Sequence, residues 1–70
     1  MSKLPSRTGK QLLKILTAHG FTVDHVTGSH HVLVNIDRSK RVTVPVHGRD
    51  LPKGTLLEIL KQAGLSREQI

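Results

Sequence analysis

The spacing of apolar residues changes several times along the chain, and each change predicts a new element. From Thr8 to His19, the positions Leu12, Ile15, Leu16 and His19 fall at i, i+3, i+4 and i+7, one stripe of an amphipathic helix. Thr8-Gly9-Lys10-Gln11 has the form of a capping box, in which the threonine hydroxyl and the glutamine side chain satisfy free backbone N–H groups reciprocally. Gly20 supplies a left-handed stop. From Phe21 the period drops to two. Phe21, Val23 and His25 alternate with Thr22, Asp24 and Val26 in a short strand of weak sidedness, which Gly28-Ser29 breaks. Val32, Val34 and Ile36 then share one parity, as do Val42, Val44 and Val46, with Asp37-Arg38-Ser39-Lys40 as a polar hairpin loop between them. Pro45 has no N–H to give a ladder, so the third strand is an edge or ends its pairing there.

After the loop His47-Gly48-Arg49-Asp50, Pro52 pre-sets the first turn of a second helix, whose stripe is Leu56, Ile59, Leu60 and Ala63 and whose stop is Gly64. Ser66-Arg67-Glu68-Gln69 repeats the capping-box pattern and predicts one last short helical turn. Two amphipathic helices and a sheet with one apolar face must bury their stripes together. The expected fold is therefore α+β: a two-layer α-β-β-β-α domain, with a three-stranded antiparallel sheet and both helices on one face. The other face stays wet. Double-stranded RNA-binding domains share this layout, but layout alone does not license function.

The chain has 70 residues, enough for a single domain over positions 1–70 with its core between 8 and 66. A domain this small has no room for a deep substrate cavity, which sends function to the polar surface. Eleven Lys and Arg against five Asp and Glu give a net charge of +6, a surface that attracts polyanions or an acidic protein. The absence of cysteine removes disulfides and thiolate zinc sites and fits a reducing cytoplasm. The stretch MSKLPSRTGK has no apolar leader, and no run approaches a membrane span, so a soluble chain with no membrane partner is expected. Phe21 is the one aromatic and belongs to the core, which leaves no stacking platform for single-stranded bases. Any RNA contact must then be dominated by the backbone and be salt-sensitive.

The stretch Gly28-Ser29-His30-His31-Val32-Leu33 carries the candidate chemistry. Strand alternation sends His30 and His31 to opposite faces, so they act separately. His30 has the parity of Val32, Val34 and Ile36, the expected helix-facing set; His31 goes with Leu33 and Asn35 on the open face. Backbone N–H groups of Gly28 and Ser29 can form a small anion nest beside the imidazole. A histidine titrating near neutrality suits general acid or base work on a phosphodiester, and Lys40, Arg41 or Arg49 could stabilise the charge that develops. His19 reads as a cation favoured by a helix C-terminus, His25 as a strand surface residue, and His47 as either a cap or a phosphate contact. There is no HxxH or HxH pair and the acidic residues are scattered, so neither a metal nor any other cofactor is expected. A polar rim position remains the alternative reading of the histidine pair.

Three stretches together, GSHH at 28–31, VPVHGRDLPKGTL at 44–56 and ILKQAGLS at 59–66, resemble the HicA family of toxins from HicA–HicB toxin–antitoxin pairs. The resemblance extends to the first helix and its Gly20-Phe21 exit and so covers residues 8 to 66. It implies an mRNA interferase: a metal-independent endoribonuclease that uses the histidine of the Gly-Ser-His turn. That residue is His30 here, with His31 as the fallback. It also implies a HicB-type antitoxin as partner, whose acidic surface would complement the charge of this chain. Beside this reading stand two others. One is a non-catalytic RNA-binding module that sets Lys10, Lys14, Lys40, Arg41 and Lys53 on a nucleic-acid backbone; the other is a module that meets only an acidic protein.

Overall fold

In a computed structural model, which describes residues 3–70, the elements follow the expected order. Met1 and Ser2, the head of the polar N-terminal stretch, lie outside the described residues. Helix α1 (Gly9–Ala18) leads into strands β1 (Phe21–Thr27), β2 (His30–Asn35) and β3 (Arg41–Pro45), then helix α2 (Lys53–Ala63) and a closing 3-10 turn over Arg67–Gln69. The strands form one antiparallel sheet in the order β1-β2-β3. Leu12 and Leu16 of α1, Leu56, Ile59 and Ala63 of α2, and Phe21, Leu33, Val42 and Val44 of the sheet share one buried cluster. Both helices therefore cover the same sheet face, the two-layer α+β arrangement of a double-stranded RNA-binding-type fold.

The local signals act as their chemistry requires. Gln11 N–H donates to Thr8 Oγ1 at 3.2 Å, and Thr8 N–H donates to Gln11 Oε1 at 2.9 Å, closing the capping box. His19 caps the other end of α1, its Nδ1 lying 2.8 Å from the Ile15 carbonyl oxygen. Gly64 ends α2 at φ 72, the left-handed region. Pro45 is the last residue of β3, and β3 is an edge. On that edge, Thr43 N–H donates to Gln62 Oε1 of α2.

Three sequence expectations are corrected. The inward set of β2 is His31 and Leu33, and Val32, Val34 and Ile36 are not in it: Leu33 pairs with Val42 and His31 with Val44, and paired residues share a face. Val32-Leu33-Val34 is apolar throughout, so its parity was set by Ile36. That residue lies in the turn after β2 and is 94% exposed. Val34 points away from the helices between its register partners Thr22 and Arg41, yet is only 4% exposed. In β1, a bulge between Val23 and His25 leaves Asp24 as the extra residue. It exchanges the faces of everything after it, so His25 lies opposite Val32 on the open face and Val26 opposite His31 on the helix side. Lastly, the buried stripe of α1 is Gly9, Leu12 and Leu16, with Ile15 only half-buried.

Gly9 has a role that the capping pattern does not disclose. A Cβ there would sit 2.1 Å from the Pro45 carbonyl oxygen, so the first turn of α1 lies directly on the backbone at the end of β3. A bridge between Thr8 and Asp50, with Leu51 N–H donating to the Arg7 carbonyl at 2.8 Å, brings the approach to α2 alongside. Both helices thus begin at the end of the sheet where β1 turns into β2.

Candidate functional site

At that end Gly28 and Ser29 form a two-residue hairpin turn, with Thr27 and His30 as the register pair that closes it. Gly28 has φ 58 while Ser29 has no positive φ, the pattern of a type II′ turn, whose twist suits antiparallel strands. A glycine-serine sequence is what this turn asks for. The Ser29 carbonyl accepts from Val46 N–H at 2.7 Å, tying the turn to the segment after β3 and drawing His47 next to it. His30 opens β2 on the face turned away from the helices. It is exposed, and its ring has no hydrogen-bond partner among the described residues.

The two histidines do take opposite faces, as alternation requires, but exchanged from the expected ones. His31 is the inward member. It is partly buried in the register of Val26 and Val44, and its Nδ1 is buried without a hydrogen bond.

The expected cations divide into two groups. Lys10 in the first turn of α1, Lys53 at the first residue of α2, and His47 and Arg49 in the loop between β3 and α2 are exposed at the Gly28-Ser29-His30 end. Lys14 lies one turn further along α1, where it borders a shallow groove with Arg7, Gln11, Ile15 and Ile70. Lys40 and Arg41 stand at the other end of β2: Lys40 follows the β2–β3 turn and Arg41 is paired with Val34. At about 3.3 Å per residue they are roughly 13–17 Å along the strand from His30. They cannot serve the same phosphate as His30, although Arg41 shares its open face.

One constellation went unread in the sequence. Asp24, at the bulge, meets His25 Nδ1 at 2.8 Å through Oδ2, Arg38 Nη2 at 3.0 Å through Oδ1, and Arg41 Nη1 at 4.0 Å through Oδ2. The hydrogen bond from His25, followed by that from Arg38, holds the Asp24 carboxyl below its ordinary range. Because an ionised carboxylate only accepts, His25 must donate from Nδ1, which leaves its Nε2 directed elsewhere. His25 is a strand surface residue as expected, but one with a carboxylate partner. The adjacent Asp-His pair was visible; the bulge that brings both onto one face was not.

A second shallow groove is lined by His19, Gly20, Asn35, Ile36 and Asp37, at the end of the sheet away from His30. Among the described residues, no three His, Asp or Glu side chains gather where they could hold a metal ion. No curated protein matches the chain. A family model does: that of the HicA toxin of bacterial toxin-antitoxin systems, over residues 9–65.

Proposed function

The chain belongs to the HicA toxin family of bacterial toxin–antitoxin systems, and from that premise we propose that it is a metal-independent endoribonuclease that cleaves mRNA as the toxin of a type II pair. The observation that carries the reading is His30, an exposed imidazole without a partner among the described residues, which a Gly-Ser turn sets at the rim of an uncovered sheet face. A phosphodiester across that rim would meet the N–H groups of Gly28 and Ser29, which a two-residue turn leaves out of the ladder, together with an imidazole that can take up or give a proton. Lys10, His47, Arg49 and Lys53 are the neighbouring groups for the same phosphate. Lys14 on α1, and Lys40 and Arg41 at the other end of β2, are further cations for other parts of the RNA.

The antitoxin partner follows from the family, and a HicB-type protein with an acidic surface is the form that would complement a charge of +6. Among the described residues no helix is long and apolar enough to cross a membrane, and the cytoplasm is the proposed site of action. The test is a gel assay of the purified chain with structured mRNA in excess EDTA, beside His30→Ala. Cleavage by the parent and a loss of about 10²–10⁴-fold in the variant are expected. Equal cleavage by both would move the assignment to His31, to be replaced next. Intact RNA with folded parent protein would leave a binding module that shifts RNA without shortening it.

A further inference from the structure

A single histidine can hold a proton for only one side of a phosphoryl-transfer step, and the open face supplies a second one. The bulge at Asp24 puts His25 opposite Val32, and His30 lies two residues before Val32 on the same face of β2. The two imidazoles are therefore diagonal neighbours across an antiparallel pair, with Cβ atoms about 7–8 Å apart or somewhat less. Without the bulge His25 would point to the helices.

The two rings differ in what holds them. Asp24 accepts from His25 Nδ1 at 2.8 Å, which in the neutral ring fixes the tautomer so that Nε2 carries the lone pair, on a side chain 51% exposed. The same carboxylate would stabilise the imidazolium formed once Nε2 takes a proton. His30 has no carboxylate partner among the described residues. We propose, resting on the endoribonuclease reading above, that Asp24-His25 is the general-base half of this site and His30 its general acid. His25 Nε2 removes the proton of the ribose 2′-hydroxyl, and the O2′–P bond forms. As the P–O5′ bond breaks, His30 gives its proton to O5′, leaving a 2′,3′-cyclic phosphate and a 5′-hydroxyl. One proton is taken and one is given, with no co-reactant.

The charged groups around His25 are Asp24 on its own strand, Arg38 from the β2–β3 loop, Arg41 from β3, and His30 on β2. The helices lie on the other face. Arg41 reaches the same Oδ2 as His25 does, at 4.0 Å, so a guanidinium stands beside the base on the side away from His30. Asp24 is a positioning residue that acts through His25.

Single-turnover cleavage of an RNA by the full chain, in EDTA across pH 5–9, tests the pairing. A parallel substrate carries sulfur in place of the 5′-bridging oxygen, a leaving group that needs no acid. A bell-shaped parent profile is expected. His25→Gln should lose about 10²-fold or more and the rising limb with it, on both substrates. His30→Ala should recover to near the parental rate on the sulfur substrate alone. Asp24→Asn should slow cleavage at least about 10-fold while keeping the rising limb.

Equal parental and His25→Gln profiles would overturn the pairing and leave the His30 assignment standing. A slow His25→Gln chain that keeps the rising limb would also overturn it, reducing His25 to a structural contact. Recovery of His25→Gln rather than His30→Ala on the sulfur substrate would overturn the assigned direction. A folded parent that cleaves neither substrate would instead remove the endoribonuclease reading itself, and the pair with it. Melting curves of each variant separate loss of chemistry from loss of fold.

Discussion

The two hairpins of the sheet are built on opposite plans. Between β2 and β3 the turn consumes its own polar groups. Asn35 Nδ2 donates to Ser39 Oγ at 3.0 Å, Lys40 N–H to Asn35 Oδ1 at 2.8 Å, Ser39 N–H to Asp37 Oδ1 at 3.1 Å, and Arg38 reaches across to Asp24. Between β1 and β2 the turn is two small residues, and the side chains of Ser29 and His30 bond to nothing among the described residues. The first turn is held by its side chains and has few left for a ligand. The second is held by the backbone, through Gly28 at φ 58 and the bond from Val46 to Ser29, which leaves its side chains available. A turn held by its backbone keeps its polar side chains free to meet a ligand.

The sharpest break of that comparison is a pair of alanine variants with opposite outcomes. His30→Ala removes no hydrogen bond and should leave the thermal midpoint within about 2 °C of the parent, since surface changes away from such contacts stay within about 0.5 kcal/mol. Asn35→Ala removes two of the four side-chain contacts of the other turn. It should cost about 1–2 kcal/mol, several degrees in a chain this size, with the cleavage rate of the folded protein unchanged within about two-fold. A large stability loss in His30→Ala, or none in Asn35→Ala, would show that the division of labour between the turns is wrong.

These plans differ in how far they could be read from residues. The α2 stripe, the capping boxes, the Gly64 stop and the order of elements are local, and each appears where its residues predict, whereas of the expected α1 stripe only Leu12 and Leu16 are buried. The Gly-Ser turn was equally legible, because a two-residue hairpin needs its glycine at one place. Sidedness was not. Val32-Leu33-Val34 carries no alternation, and which parity faces the helices depends on the pairing of Leu33 with Val42 across the sheet. The bulge at Asp24 is likewise a property of two strands, and no residue there, such as a glycine, announces it. It determines where His25 points, so the carboxylate-held imidazole could not be placed from spacing. In the sequence Gly9 shows only its place in the cap, because its close approach to Pro45 joins residues far apart along the chain.

Acid should act unevenly on the two turns. Asp24 and Asp37 both have carboxyls held below their ordinary range, Asp24 chiefly by His25 and then Arg38, Asp37 by the Ser39 hydroxyl and then the Ser39 N–H. A depressed folded value contributes stability above the unfolded value of about 3.9, and this fades as pH falls through the folded values. Both groups belong to the β2–β3 turn or its tie to β1, and neither touches the Gly28-Ser29 turn. Amide exchange followed from pH 5 to pH 2.5 should show Arg38–Lys40 losing protection before Val46, whose N–H ties the Gly28-Ser29 turn to the segment after β3. Simultaneous loss would mean that the two turns open as one unit.

The smallest expected effect concerns Arg38, whose φ of 59 is the one left-handed value among the described non-glycine residues. Left-handed backbone costs an ordinary residue roughly 1–2 kcal/mol, while glycine there would forfeit about 0.4–1 kcal/mol through a freer unfolded chain. Arg38→Gly should therefore gain a little from backbone relief and lose a little with the exposed contact to Asp24. The two nearly cancel, leaving the melting temperature almost unmoved. With Asp24→Ala already in place there is no contact left to lose, and Arg38→Gly should then raise the melting temperature by a few degrees. The same change having the same effect in both backgrounds would show that Asp24 does not hold this turn, and would leave its carboxylate to His25 alone.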